Sequence, residues 1–93
     1  MSGRVRTVEI LRFLQLDDAG LLEALRGEGL FLEDEIDPEA AEELRVAASL
    51  MRELGVNPAG VDVALHLRRR LACLEIRMRE LLENLADEAG PRG

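Results

Sequence analysis

Residues 54–60, Leu-Gly-Val-Asn-Pro-Ala-Gly, constrain the fold of this 93-residue chain more than any other segment. Helices commonly end at a glycine in the left-handed conformation, and Gly55 stands where such a residue is needed. Asn57 can accept a hydrogen bond from the backbone that starts the next helix, and Pro58 suits the first turn, where no intrahelical donor is lost. The segment predicts a fixed corner between two helices.

After this corner, apolar residues recur at alternating spacings of three and four, which is the period of a coiled-coil seam. The seam residues are Ala64, Leu67, Leu71, Leu74, Met78, Leu81 and Leu85. They predict a helix from Pro58 to about Ala86, roughly 40 Å long. We expect its start to pack within the domain through Val61, Ala64 and Leu65.

The outer part of this helix is too long for a small domain to cover. Each seam side chain left in water forgoes about 1.5–3 kcal/mol of burial. The sequence therefore predicts a homodimer, with an interface formed by Leu67, Leu71, Leu74, Met78, Leu81 and Leu85.

Composition favours a single, mostly α domain. Aromatic residues are limited to Phe13 and Phe31, so the core must be built from aliphatic side chains, which suit helices. The start of the chain lacks the apolar run of a signal peptide, and no segment has the roughly 20 apolar residues of a membrane span. We therefore expect a cytoplasmic protein.

The first half of the chain predicts three further helices. Val8, Ile10, Leu11 and Leu14 indicate a short helix or an entry from strand to helix. The second helix is predicted from N-cap candidates Asp17 and Asp18, an apolar face of Leu21, Leu22 and Leu25, and an end at Gly27 and Gly29. Residues 30–36 are expected to be extended or looped, as a stunted β-wing.

A third helix is predicted to begin at Asp37-Pro38-Glu39, which supplies a cap, a first-turn proline and a favourable negative charge. Its expected inner face consists of Leu44, Ala47, Ala48, Met51 and Leu54.

Catalytic and metal-binding patterns are absent from the sequence. His66 is the single histidine, and Cys73 lies seven residues further along, so a zinc site is not expected. The segment between Gly55 and Gly60 lacks the lysine that a nucleotide-binding loop contains. Cys73 is interpreted as a packing residue. We expect neither an enzyme nor a cofactor.

The net charge of −7 is concentrated in one block. Residues 17–43 contain one arginine and eleven carboxylates, a local charge of −10. By contrast, Arg68, Arg69 and Arg70 form the one basic run, and three successive helical positions spread around the helix instead of sharing one face. Glu75, Glu80 and Glu83 lie further along the helix, so we expect ordinary ion pairing of these arginines across or along helices.

Residues 50–67, Leu-Met-Arg-Glu-Leu-Gly-Val-Asn-Pro-Ala-Gly-Val-Asp-Val-Ala-Leu-His-Leu, resemble the corresponding segment of CbpM-type chaperone modulators, within the MerR-like helix-turn-helix superfamily. Residues 7–10, 22–30 and 47–54 give weaker, collinear support, so the resemblance covers about residues 6–85. It implies a winged helix-turn-helix domain over 1–57, with a shortened wing, then a long dimerisation helix over 58–88 and a tail at 89–93. The dimer implied by this superfamily is antiparallel.

CbpM-type modulators bind the J-domain of a DnaJ-type co-chaperone and inhibit or modulate its action with DnaK. The resemblance implies a basic J-domain surface, which an acidic face would complement. The residues expected to contact this partner are Glu28, Leu30, Phe31, Glu33, Asp34, Glu35, Asp37, Glu39, Glu42 and Glu43, with Leu32 as a further apolar candidate. The chain departs from the family at residues 30–37, which leaves contacts by the wing open.

Two other functions stay open at this point. HspR-like repressors share the Leu-Gly-Val-Asn corner and bind DNA, but the candidate recognition helix offers Arg26 alone against Asp18 and Glu23, which disfavours phosphate contact. A structural dimerisation module or an antitoxin-like protein that neutralises a basic partner is the third possibility.

Overall fold

The computed structural model describes residues 3–15 and 19–88, which form a mostly helical protein. Its elements are β1 (Val5–Arg6), α1 (Thr7–Phe13), α2 (Ala19–Gly27), β2 (Glu35–Ile36), α3 (Pro38–Glu53) and α4 (Pro58–Glu88). The mostly α prediction is confirmed, and so is the entry from strand to helix, because β1 leads directly into α1. The proposed caps Asp17 and Asp18 and the predicted tail lie outside the described residues.

The short sheet joins the start of the chain to the segment that precedes α3. β1 and β2 are antiparallel, with Val5 opposite Ile36 and Arg6 opposite Glu35. The backbone N–H of Thr7 extends this pairing by donating to the carbonyl of Asp34 at 2.9 Å. The segment expected as a stunted wing thus contributes one short strand, and its partner is the N-terminal strand.

The predicted starts of α3 and α4 are both capped as expected. The Asp37 carboxylate accepts a hydrogen bond from the Ala40 N–H at 2.8 Å, and the Asn57 side chain accepts one from the Gly60 N–H at 2.7 Å. Gly55 has a φ of +67°, the left-handed conformation predicted for it. These bonds satisfy backbone donors that a helix start leaves without a partner.

Gly60 has a steric role that the sequence did not reveal. A Cβ at this position would lie 2.8 Å from Val56 Cγ1 and 3.2 Å from Asn57 Oδ1. A side chain at this position would therefore force the neighbouring groups of the corner to shift.

The core lies where α1, α2, α3 and the start of α4 meet, and it is small and aliphatic. Its buried apolar residues are Leu11, Leu21, Leu22, Leu25, Ile36, Leu44, Ala47, Ala48, Val61 and Leu65. Met51 is half-buried, but Leu54 is 72% exposed, so its assignment to the inner face of α3 is wrong. α3 ends at Glu53, and the backbone of Leu54 already departs from ideal helical angles (φ −109°, ψ −3°), so its side chain no longer follows the buried stripe.

The outer part of α4 extends away from this core. Val61 and Leu65 are its buried residues, and every residue from His66 to Glu88 is exposed. The described chain consequently measures 64 Å along its longest axis, against 32 and 21 Å along the others. Cys73 is exposed as well, so within a single chain the prediction that it packs is wrong.

Candidate partner-binding surface

Two arginines hold the loop formed by residues 28–34. Arg26 Nε, at the end of α2, donates to the Phe31 carbonyl at 2.8 Å, and its Nη2 reaches Asp34 Oδ1 at 3.2 Å. From the other side, Arg4 Nη2 donates to the Glu35 carbonyl at 2.6 Å and to Glu33 Oε2 at 2.8 Å. The loop is thus fixed by arginines that flank it in space and are separated from each other in sequence.

Phe31 occupies an unusual backbone conformation inside this loop. Its φ is +52°, a left-handed conformation that costs a non-glycine residue about 1–2 kcal/mol. Phe31 and Leu30 are half-buried and pack against the core, whereas Leu32 is 63% exposed. Of the three apolar residues considered for partner contact, Leu32 is therefore the most accessible.

We name the eight carboxylates predicted to meet the partner the acidic surface. They belong to Glu28, Glu33, Asp34, Glu35, Asp37, Glu39, Glu42 and Glu43, and all are exposed except the half-buried Glu43. Four of them form ion pairs: Glu33 with Arg4, Asp34 with Arg26, Glu42 with Arg45, and Glu43 with Arg69. Among the described residues, the other four, Glu28, Glu35, Asp37 and Glu39, have no ion-pair partner.

Two arginines of the basic run on α4 form ion pairs across helices, which is one of the two arrangements expected. Arg69 donates to both carboxylate oxygens of Glu43, at 2.6 and 2.8 Å, and Arg68 lies 3.9 Å from Glu42. Their partners are thus on α3, and Glu75, Glu80 and Glu83 further along α4 are not the partners of these two arginines. The cause is tertiary, because the corner folds α4 back past the first turns of α3.

Folding reduces the local charge excess that the sequence displays. The eight carboxylates of the acidic surface meet five guanidinium groups, so their charge of −8 falls to a net charge of −3. The guanidinium groups are those of Arg4, Arg26, Arg45, Arg68 and Arg69. The surface remains negative, but much of its charge is already balanced within the chain.

Two ion pairs that involve carboxylates of α3 shift the pKa of a side chain in the pair. The hydrogen bond from Arg45 lowers the pKa of Glu42, and the charges of Arg45 and Arg68 act in the same direction. The hydrogen bond with Glu43 raises the pKa of Arg69. Both effects favour the ionised forms of these side chains.

A groove of about 470 Å³ lies between loop 28–34 and the start of α3. We call it the first groove. Its apolar lining comes from Leu30, Phe31, Leu32, Ile36 and Ala40, and its charged lining from Arg4, Glu33, Asp37, Glu43 and Arg69. Glu28, Asp34 and Glu35 do not line it. The fold therefore gathers some of the predicted contact residues around one concavity and leaves others beside it.

The seam on α4 faces away from the domain core. Its predicted interface residues, Leu67, Leu71, Leu74, Met78, Leu81 and Leu85, are between 50 and 64% exposed. At about 100° per residue, they lie roughly 150° around the helix from Val61 and Leu65. One helix thus presents two apolar faces, and the domain covers only the shorter one.

Several exposed apolar residues were missed by the seam pattern. Ile76 and Leu82 are 51 and 58% exposed on α4, and Phe13 is 87% exposed at the end of α1. Ile76 could have been found by extending the face of Val61 and Leu65 along the helix. Nothing in the local sequence distinguishes Phe13 from a buried aromatic residue.

Among the described residues, no three His, Cys, Asp or Glu side chains form a group that could hold a metal ion. No helix in that part of the chain is long and apolar enough to span a membrane. Comparisons with protein-family models, curated proteins and solved structures found no match.

Proposed function

We propose that this chain is a non-enzymatic chaperone modulator that binds the J-domain of a DnaJ-type co-chaperone and inhibits or modulates its action with DnaK. The resemblance of residues 50–67 suggests the class, and the observation that carries the proposal is the negative, arginine-held surface around loop 28–34. A negative surface accelerates encounter with a basic partner and selects against acidic ones.

The rigidity of the loop supports a binding role. Arg26 holds the Phe31 carbonyl, and Arg4 holds the Glu33 carboxylate and the adjoining Glu35 carbonyl of β2, before any partner arrives. A surface that is ordered in advance loses less conformational entropy on binding. Unpaired Glu28 and Glu39 are then available for basic side chains of the partner, without first breaking an internal pair.

DNA binding is the weaker alternative. In a MerR-like or HspR-like regulator, α2 would be the recognition helix, and the described helix contains one cation, Arg26. Its guanidinium already bonds the Phe31 carbonyl and the Asp34 carboxylate, so phosphate contact would require breaking these bonds. The neighbouring acids would repel the duplex.

We further propose that the chain folds as a MerR-like winged helix-turn-helix with a shortened wing. It acts in the cytoplasm, as a homodimer joined through the α4 seam. Support for the dimer is the exposure of six seam residues on one face of α4. A dimerisation module or antitoxin-like protein would share these features, so a test has to address J-domain binding itself.

Calorimetric titration with the J-domain from the same organism tests this function. Replacing Glu28→Arg and Glu39→Arg together should weaken binding at least about tenfold, because two uncompensated negative charges become positive. The matched control, Glu80→Arg with Glu83→Arg, has the same change in charge on the outer part of α4 and should bind like the unmodified protein. Equal affinity of the first variant and the unmodified protein would reject this surface as the binding site.

A further inference from the structure

A second groove lies beside the first and shares four of its lining residues. Its volume is about 880 Å³, and it runs between the first turns of α3 and the outer part of α4. Asp37, Ala40, Glu43 and Arg69 line both grooves. The two concavities therefore meet across the start of α3, and together they form one longer surface.

The ion pair between Arg69 and Glu43 stands where the grooves meet. It connects α4 to α3 through two hydrogen bonds of 2.6 and 2.8 Å, and the Glu43 side chain is only 16% exposed. The pair thus divides an otherwise continuous surface into two compartments.

Each compartment has its own apolar lining. In the first groove it includes Leu30, Leu32 and Ile36, and in the second it includes Ala72, Ile76 and Leu71, which is also a residue of the predicted dimer seam. Ala72 and Ile76 continue the face of α4 that Val61 and Leu65 bury in the domain, because these positions fall within about 60° of arc. Nothing in the described chain covers this continuation, and Ile76 stays 51% exposed.

Charge identifies the kind of occupant. The charged lining of the two grooves has six carboxylates and three guanidinium groups, a net charge of −3. The carboxylates are those of Glu33, Asp37, Glu39, Glu42, Glu43 and Glu75, and the guanidinium groups those of Arg4, Arg68 and Arg69. Side chains three or four residues apart lie on the same face of a helix, so one helix can present apolar side chains on either side of one ion pair. A basic amphipathic helix therefore matches both the apolar linings and the acidic rim.

We propose that the two grooves form one docking track for a basic amphipathic helix, whose apolar side chains one turn apart enter on either side of the Arg69–Glu43 pair. Lysine or arginine residues of that helix face the carboxylates of the rim. This inference deepens the proposed function, on which it rests for the identity of the natural partner.

A synthetic peptide tests the track independently of any natural partner. The probe is a fluorescent, lactam-stapled helix of about 14 residues, built from lysine and alanine with two leucines four positions apart. Its control peptide has the same composition but places the leucines on opposite faces. Fluorescence anisotropy should register binding of the first peptide, with at least about tenfold weaker binding of the control.

Variants of the protein then locate the binding site. Leu32→Asn alters the first compartment and Ile76→Asn the second, and each should weaken binding of the peptide about tenfold. Both residues are largely exposed, at 63 and 51%, so folding should be retained. Val63→Asn is the matched control on α4, because Val63 is 58% exposed and lines neither groove, and it should not alter the affinity. Unchanged binding by both groove variants would overturn the proposal.

Titration of the same variants with the J-domain separates the two proposals. If the J-domain binds, loses affinity with Glu28→Arg and Glu39→Arg, but ignores Leu32→Asn and Ile76→Asn, the docking track is wrong and the proposed function stands. If the J-domain does not bind while the peptide behaves as expected, the function fails and the track stands. If Ile76→Asn lowers the oligomer mass without changing peptide affinity, the second groove belongs to a contact between copies and the track is wrong.

Discussion

Arg69 on α4 donates two hydrogen bonds to Glu43 on α3, across a sequence separation of 26 residues. The pair joins the helix that carries the seam to the surface that carries the acids. The sequence indicated that the Glu43 carboxylate is exposed to solvent, but in the structure its side chain is largely covered. The position of α4 and the charge of the acidic surface are therefore linked through this contact.

We expect a double-mutant cycle between Arg69→Met and Glu43→Gln to give a coupling energy of about 0.5–1 kcal/mol in urea unfolding. The value is modest because the Arg69 side chain is 59% exposed and shares its charge with water. Arg70→Met is the control, since Arg70 forms no ion pair within the described chain, and it should show no coupling to Glu43→Gln. A coupling energy indistinguishable from zero for the Arg69 cycle would contradict the contact.

Gly60→Ala should destabilise the protein by about 1 kcal/mol, despite the higher helix propensity of alanine. The new Cβ would lie 2.8 Å from Val56 Cγ1, so the corner must shift to accept it. Gly27→Ala is the contrasting variant, because a Cβ there meets no atom within 4 Å, and it should be neutral or stabilising. Thermal unfolding of the two variants measures the difference, and equal effects would disprove a tight corner at Gly60.

The Glu42 carboxyl should titrate below its usual pKa, because Arg45 donates hydrogen bonds to its ionised form. A carboxyl group whose pKa is lowered by folding stabilises the folded state when the pH is above the pKa of that group in the unfolded chain. This stabilisation is lost as the pH falls through the pKa of the group in the folded protein. Carbon-detected NMR titration should show the midpoint of Glu42 rising toward its usual value in Arg45→Leu. A midpoint unchanged by this substitution would show that the hydrogen bond does not persist in solution.

The α4 seam should make the protein a dimer, with about twice the single-chain mass of 10.3 kDa in light scattering. Leu74→Glu with Leu81→Glu places charges at two seam positions, now 54 and 57% exposed, and should return the mass to that of one chain. Val8→Glu, at an exposed position on α1, is the control and should leave the dimer intact. A single-chain mass for the unmodified protein would eliminate the seam as a self-association surface.

Local signals in the sequence predicted the helix boundaries because capping depends on a few adjacent residues. Asp37 and Asn57 bond the N–H groups three residues ahead of them, and Gly55 adopts the predicted left-handed backbone. The division of α4 into a start that packs in the domain and an outer part that projects also followed from the sequence, since Val61 and Leu65 are buried and the seam is exposed.

The charges of the candidate site depended on contacts that no local pattern contains. Arg4 and Arg69 reach Glu33 and Glu43 only after the sheet and the helix corner have formed. The orientation of Leu54 likewise depended on the exact turn at which α3 ends. Sequence therefore identified the acidic block, but the fold determined which of its carboxylates remain unpaired.

NMR chemical-shift mapping of the isotope-labelled protein with the unlabelled J-domain locates the binding surface residue by residue. We expect the largest shifts and line broadening on residues 28–43, with smaller changes along α2 and the α4 seam. Saturating J-domain without changes in residues 28–43, or changes confined to the seam, would contradict the proposed binding surface.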